Sequence, residues 1–148
     1  MNYKIKPGFS LIELLIIIGV IGILSLATIP AFRAYGSKLE LSGTARELVG
    51  DLRYIQQMAV TEQKEYCIKF FPTEKKYQTL QCGAETFLKE KILPEQIQTL
   101  TVEGFTDNEV RYNPYGAVKE AGNAILTNIK SQIKTISIKP SGFVDILD

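Results

Sequence analysis

The chain has 148 residues, with Lys+Arg 17 against Asp+Glu 16, no His, no Trp and two Cys. That length holds one ordinary domain, or a small domain plus an anchor, and a net charge of +1 argues against a globally basic nucleic-acid coat or an acidic disordered tail. The missing histidine excludes Ser-His-Asp and Cys-His nucleophiles, His-ligated zinc and an imidazole switch. Two cysteines cannot build a Cys₄ site either. The composition therefore points away from an enzyme and implies no cofactor.

Residues 1–8 are a short segment with Lys4 and Lys6 and no acid. From Phe9 to Phe32 the chain is apolar for 24 residues with a single charge, Glu13. As a helix this run reaches about 36 Å, against a hydrocarbon thickness of about 30 Å. A transmembrane helix is therefore expected over 9–33. The positive-inside rule puts Met1–Gly8 in the cytoplasm and everything beyond Arg33 outside, making the chain a single-pass plasma (inner) membrane protein. A secretory signal peptide has a shorter apolar region and a small-x-small cleavage site, which Ala27-Thr28-Ile29-Pro30-Ala31 does not provide. A plain anchor explains everything except Glu13. A carboxylate in hydrocarbon costs about 2.5–3.5 kcal/mol on insertion scales, so it asks for a cation at its own depth.

Lys6-Pro7-Gly8-Phe9-Ser10-Leu11-Ile12-Glu13-Leu14 resembles the leader and mature N-terminus of type IV pilins and type II secretion pseudopilins. The resemblance implies cleavage after Gly8 by a prepilin peptidase, N-methylation of Phe9, and retention of the apolar helix. It also implies an inner-membrane assembly platform and other pilin or pseudopilin subunits as partners. In this reading Glu13 pairs with the N-terminal ammonium of a neighbouring subunit during filament assembly. That ammonium is the missing cation, and such a pair would set axial register even where its net contribution to stability is small.

Residues 34–64 form the amphipathic half of the same helix. Leu41, Ala45, Leu48, Leu52, Ile55 and Ala59 recur at spacings of 4, 3, 4, 3 and 4, the period of one helical face. One helix is expected from Ser10 to Gln63, with Pro30 bending or loosening it near the membrane exit. Residues 65–148 read as a β-sheet head. The expected strands are Glu65–Phe71, Tyr77–Cys82, Gln98–Val102, Val110–Asn113, Ala124–Asn128, Thr135–Lys139 and Phe143–Leu147. The segment Glu85–Gln96 reads as a loop or a short helix ended by Pro94. The fold class is α+β and, by the resemblance, pilin-like, with a long N-terminal helix packed on a C-terminal antiparallel sheet.

Cys67 and Cys82 lie on the two arms of the first expected hairpin. A turn centred on Glu74-Lys75 places them directly opposite, within disulfide reach, and an oxidising exoplasmic compartment would close the bond. A one-residue slip would instead leave two free core thiols.

After the helix, the arrangement is similar to H-type minor pseudopilins and FimT-type minor pilins. It is carried by the segments Ala45–Arg53, Ile68-Lys69-Phe70, Tyr112–Gly116 and Ile136–Val144. That implies a low-abundance structural subunit near the tip of a type II secretion or type IV pilus filament, serving protein export or pilus assembly. A major pilin is the alternative. A further alternative is a DNA-binding tip subunit of a competence filament, as in the D-type relatives. Its motivation is local: from Val110 to Val144 the charges are Arg111, Lys119, Lys130, Lys134 and Lys139 against Glu120 alone. Such cations neutralise phosphates without reading sequence, and Tyr112 and Tyr115 would stack on unpaired bases. The competing reading is a solvated face that discourages edge pairing. Asp107, Asn108 and Glu109 are too few to make a calcium site, and no metal is expected.

Overall fold

The structure is a computed structural model that describes residues 9–84 and 87–147, apart from the side chains of residues 26–34. It divides into two compact units, residues 1–36 and residues 37–148. One helix, α1, runs Leu11–Glu62. In the first unit its described large apolar side chains are solvent-exposed from Leu11 to Leu24. The leader, the Gly8 junction and the side chain of Pro30 lie outside the described residues, as do the side chains of the last part of the apolar run. Among the described residues no helix is long and apolar enough to cross a membrane.

The second unit is the head. Here the sequence period becomes packing: Leu41, Ala45, Leu48, Leu52, Ile55 and Ala59 are all at most 1% exposed. Gln63, with φ at 53°, ends the helix in the left-handed region, and its side chain donates to the carbonyls of Val60 at 2.7 Å and Pro114 at 3.3 Å.

Two antiparallel four-stranded sheets, rather than one, close over this stripe. The first contains β1 (Tyr66–Phe71), β2 (Lys76–Gln81), β3 (Phe87–Ile92) and β5 (Glu109–Tyr112), in the order β3-β2-β1-β5. The second contains β4 (Ile97–Glu103), β6 (Gly122–Asn128), β7 (Ile133–Ile138) and β8 (Val144–Leu147), in the order β4-β6-β7-β8. Between β4 and β5 the chain makes a short 3₁₀ turn, Thr106–Asn108. Period two is clear in β2, β5, β6 and β8. Tyr66, Ile68 and Phe70 of β1 join the α1 stripe in one core, as do Ala124 and Leu126 of β6 and Ile136 and Ile138 of β7. Alternation breaks in β4 because a register shift between Ile97 and Thr99 inserts a residue, so that Ile97 and Leu100 are both buried.

β3 corrects the expected loop or short helix at 85–96. Its alternation is invisible to an apolar template because Lys89 and Lys91 reach carboxylates on α1. Lys89 Nζ lies 2.7 Å from Asp51 and Lys91 Nζ 2.7 Å from Glu47. Asp51 also accepts the Tyr77 hydroxyl at 2.7 Å, and burial together with that carboxylate pushes the Tyr77 phenol up. These polar pairs fix how α1 is rotated about its own axis against the first sheet.

The cysteines are bonded, Cys67 to Cys82, with Cα atoms 5.2 Å apart, but they are not directly opposite. The β1–β2 pairing closes on Phe71 and Lys76, so Cys67 faces Leu80 and Cys82 lies beyond the strand, its N–H donating to Glu65. A two-residue offset preserves the face, so the diagonal sulfurs still meet. On the second sheet, the β7–β8 turn carries Gly142 with φ at 81°. A Cβ there would stand 2.0 Å from the Gly116 carbonyl oxygen, so the two neighbouring turns interlock only with glycine.

Leu52→Ala should lower head stability by about 2–5 kcal/mol, whereas Gln57→Ala, on an exposed position of the same helix, should stay within about 0.5 kcal/mol. Urea midpoints of the two variants check this. Cys67→Ser with Cys82→Ser should cost about 2–4 kcal/mol, and the parent under reductant should fall to the level of that double variant.

Candidate assembly and surface sites

The N-terminal candidate is built on the first turn of α1. The Ser10 carbonyl accepts the N–H of Glu13 at 3.1 Å and of Leu14 at 3.2 Å, starting the helix. Glu13 is the acidic residue of that first turn, where the unpaired N–H groups favour a negative charge. Its neighbours Leu11, Ile12, Leu14 and Leu15 are all exposed. Glu13 makes no salt bridge to another described residue. Gly8 lies outside the described residues, and Phe9 precedes the helix with its ring exposed.

The basic candidates, continuous in sequence, are divided by the topology. Arg111 lies on β5 of the first sheet. Its Nη2 is 2.9 Å from Glu109 Oε1 and its Nη1 3.4 Å from Glu65 Oε2. The hydrogen-bonded Glu109 carboxylate holds the guanidinium firmly charged, yet largely satisfied. Lys119 shares with Arg111 a shallow cleft of about 100 Å³, together with Thr106, Asp107, Glu109 and Glu120. Three carboxylates against two cations make that cleft a poor anion site. Glu120 is itself engaged, accepting the Thr106 N–H at 2.6 Å and the Thr106 hydroxyl at 2.9 Å. Those bonds hold its carboxyl below the usual range.

The other three belong to the second sheet. Lys130 is in the β6–β7 turn, and Lys134 lies on β7 beside a cleft of about 240 Å³ with Ser42, Ala45, Arg46 and Ile146. Lys139 follows the far end of β7, its Nζ 5.2 Å above the Phe143 ring. At about 3.3 Å per strand residue, Lys134 and Lys139 are roughly 16 Å apart. The five cations form no single track. Of the two tyrosines, Tyr112 is fully buried and cannot stack on a base, whereas Tyr115 is 89% exposed at its turn.

Cys67, Cys82 and Glu109 bring their ligand atoms within 4.8 Å of one another. Both sulfurs are spent in the disulfide, so no thiolate remains to bind a metal.

Asn128 escaped the sequence reasoning, because at a strand end it resembles an ordinary turn residue. It is fully buried. Its Nδ2 donates to the Ser37 carbonyl at 3.2 Å and to Gln132 Oε1 at 2.9 Å, and its Oδ1 accepts the N–H groups of Lys130 at 3.0 Å and Gln132 at 2.9 Å.

Comparison with known proteins fits this architecture. The family described as type II transport protein GspH matches residues 44–142, and the prokaryotic N-terminal methylation motif matches residues 4–29. A fimbrial protein of Pseudomonas aeruginosa is 29% identical over 139 residues, covering 94% of this chain and 83% of that one. The minor pseudopilin EpsH of the Vibrio cholerae type 2 secretion system superposes with a TM-score of 0.62 at 14% identity, over 73% of this chain and 96% of that chain. The type IV minor pilin FimU of Pseudomonas aeruginosa gives a TM-score of 0.63 at 15% identity, over 77% of this chain and 92% of that chain. At those identities the two superpositions show a shared fold, while the GspH match extends over more than half of the sequence. The chain belongs to the type II transport protein GspH family, within the superfamily of type IV pilins and pseudopilins, whose members are structural subunits of pili and pseudopili.

Proposed function

We propose that this subunit is a minor pseudopilin or minor pilin, matured by a prepilin peptidase that cuts between Gly8 and Phe9 and methylates the new N-terminus. Before assembly it is held in the inner membrane by residues 9–33 with its head outside. It then joins a filament through an inner-membrane platform, serving protein export or pilus assembly as a structural rather than a catalytic component. The observation that carries this reading is the position of Glu13. It is the one charge in a 24-residue apolar run, within the segment that matches the methylation motif.

In hydrocarbon that carboxylate is a cost of about 2.5–3.5 kcal/mol for a lone anchor. It becomes useful once the ammonium on Phe9 of an adjacent subunit neutralises it, because the pair admits one axial offset and penalises others. The EpsH and FimU likenesses support the minor-subunit reading. The dispersal of Arg111, Lys119, Lys130, Lys134 and Lys139, and the burial of Tyr112, give the DNA-uptake alternative no support.

The two uses of Glu13 predict opposite signs. In a plain anchor, Glu13→Leu removes an insertion penalty and should leave behaviour unchanged or improved. In a filament subunit the same variant should remain in the membrane fraction but enter sheared filaments severalfold less than the parent. Parent-level incorporation of Glu13→Leu contradicts the proposal.

A further inference from the structure

The β6–β7 turn is fixed to the point where α1 enters the head. Asn128 ties it to the Ser37 carbonyl while closing the turn through Lys130 and Gln132, and Ile129 N–H donates to the Gln96 carbonyl at 3.0 Å. So held, the turn displays apolar side chains to solvent: Ile129 and Ile133 are each 55% exposed, and Leu39, two residues after Ser37, is 60% exposed. Lys38 and Lys130 are exposed among them. The cations at this end of the head, Lys38, Lys130 and Lys134, outnumber the acids Glu40 and Glu95. A buried, fully hydrogen-bonded asparagine holding branched apolar residues in water is a costly arrangement for a surface that meets only water.

Chain connectivity says what lies nearby. Ser37 follows Phe32, the end of the apolar run, by five residues. That is about 7.5 Å at helical rise and no more than about 18 Å fully extended. Any bilayer that holds the run is therefore within reach of this turn. The interlocked turn bearing Tyr115 is bound instead to Gln56, whose Nε2 donates to the Gly116 carbonyl at 2.8 Å. Gln56 comes 19 residues after Ser37, or about 28 Å farther along α1.

We propose that the β6–β7 turn is a membrane-resting surface of the unassembled subunit. Ile129 and Ile133 enter the boundary between headgroups and acyl chains, and Lys38 and Lys130 extend their stems along it to lipid phosphates. The inference rests on the membrane anchoring proposed above. Its partner is a glycerophospholipid surface, and its consequence is that the head is oriented before it meets the filament.

The test uses the full chain reconstituted in vesicles of phosphatidylethanolamine and phosphatidylglycerol, with an environment-sensitive fluorophore on Ile129→Cys or, separately, on Tyr115→Cys. The label at 129 should be blue-shifted, quenched by a lipid-borne quencher and severalfold less accessible to iodide than the label at 115. Adding Lys130→Glu and Ile133→Glu should return it to the aqueous values. If the label at 129 is as accessible to iodide as that at 115, in protein that floats with vesicles after alkaline extraction, the resting surface is overturned and the anchoring stands. If the protein does not float, the anchoring fails and this inference fails with it.

Discussion

The head exists only because one helix face is dry. Leu41, Leu48, Leu52 and Ile55 of α1 are buried to within 1%, and each such side chain contributes about 1.5–3 kcal/mol on leaving water. That is comparable in total with the net stability of a whole domain, about 5–15 kcal/mol. Two four-stranded sheets share that stripe as their common floor. The helix segment from Leu41 to Ala59 is therefore the core of the head as well as part of α1.

Polar pairs on the flanks of the stripe set the helix's rotation. On one side Asp51 receives Tyr77 and Lys89 while Glu47 receives Lys91. On the other, Gln56 reaches Gly116 and Arg53 reaches the Val144 carbonyl at 3.3 Å. Half-exposed ion pairs such as Lys91 with Glu47 add little stability individually. Their spacing along α1 matters more, because it admits one register between the helix and each sheet. Asn128 does the same near the start of the head's part of α1 by tying the β6–β7 turn to Ser37.

Legibility followed the physics of each element. The stripe from Leu41 to Ala59 was plain because a helix with one dry face imposes its period on composition. β3 was not, since the positions it turns toward α1 are Lys89 and Lys91, which pair with the carboxylates of Asp51 and Glu47 rather than with an apolar core. The cysteine pair was legible but its register was not. The tight turn pairs Phe71 with Lys76, and a slip of two residues leaves every side chain on its expected face. The basic residues from Arg111 to Lys139 are dispersed for a topological reason. β5 returns to the first sheet while β6 and β7 build the second, so charges close in sequence are distributed over separate surfaces. Arg111 in particular is claimed by Glu109 and Glu65.

On the proposed reading α1 serves two environments, and Glu13 is the carboxylate that another subunit's freshly exposed amine completes. That amine exists only after maturation. Intact-mass analysis of the protein recovered from its own cells is thus the most direct measurement. The mature protein should lack residues 1–8 and carry one methyl group on Phe9. A mature population that retains Met1, or that begins beyond Glu13, would contradict the filament-subunit reading.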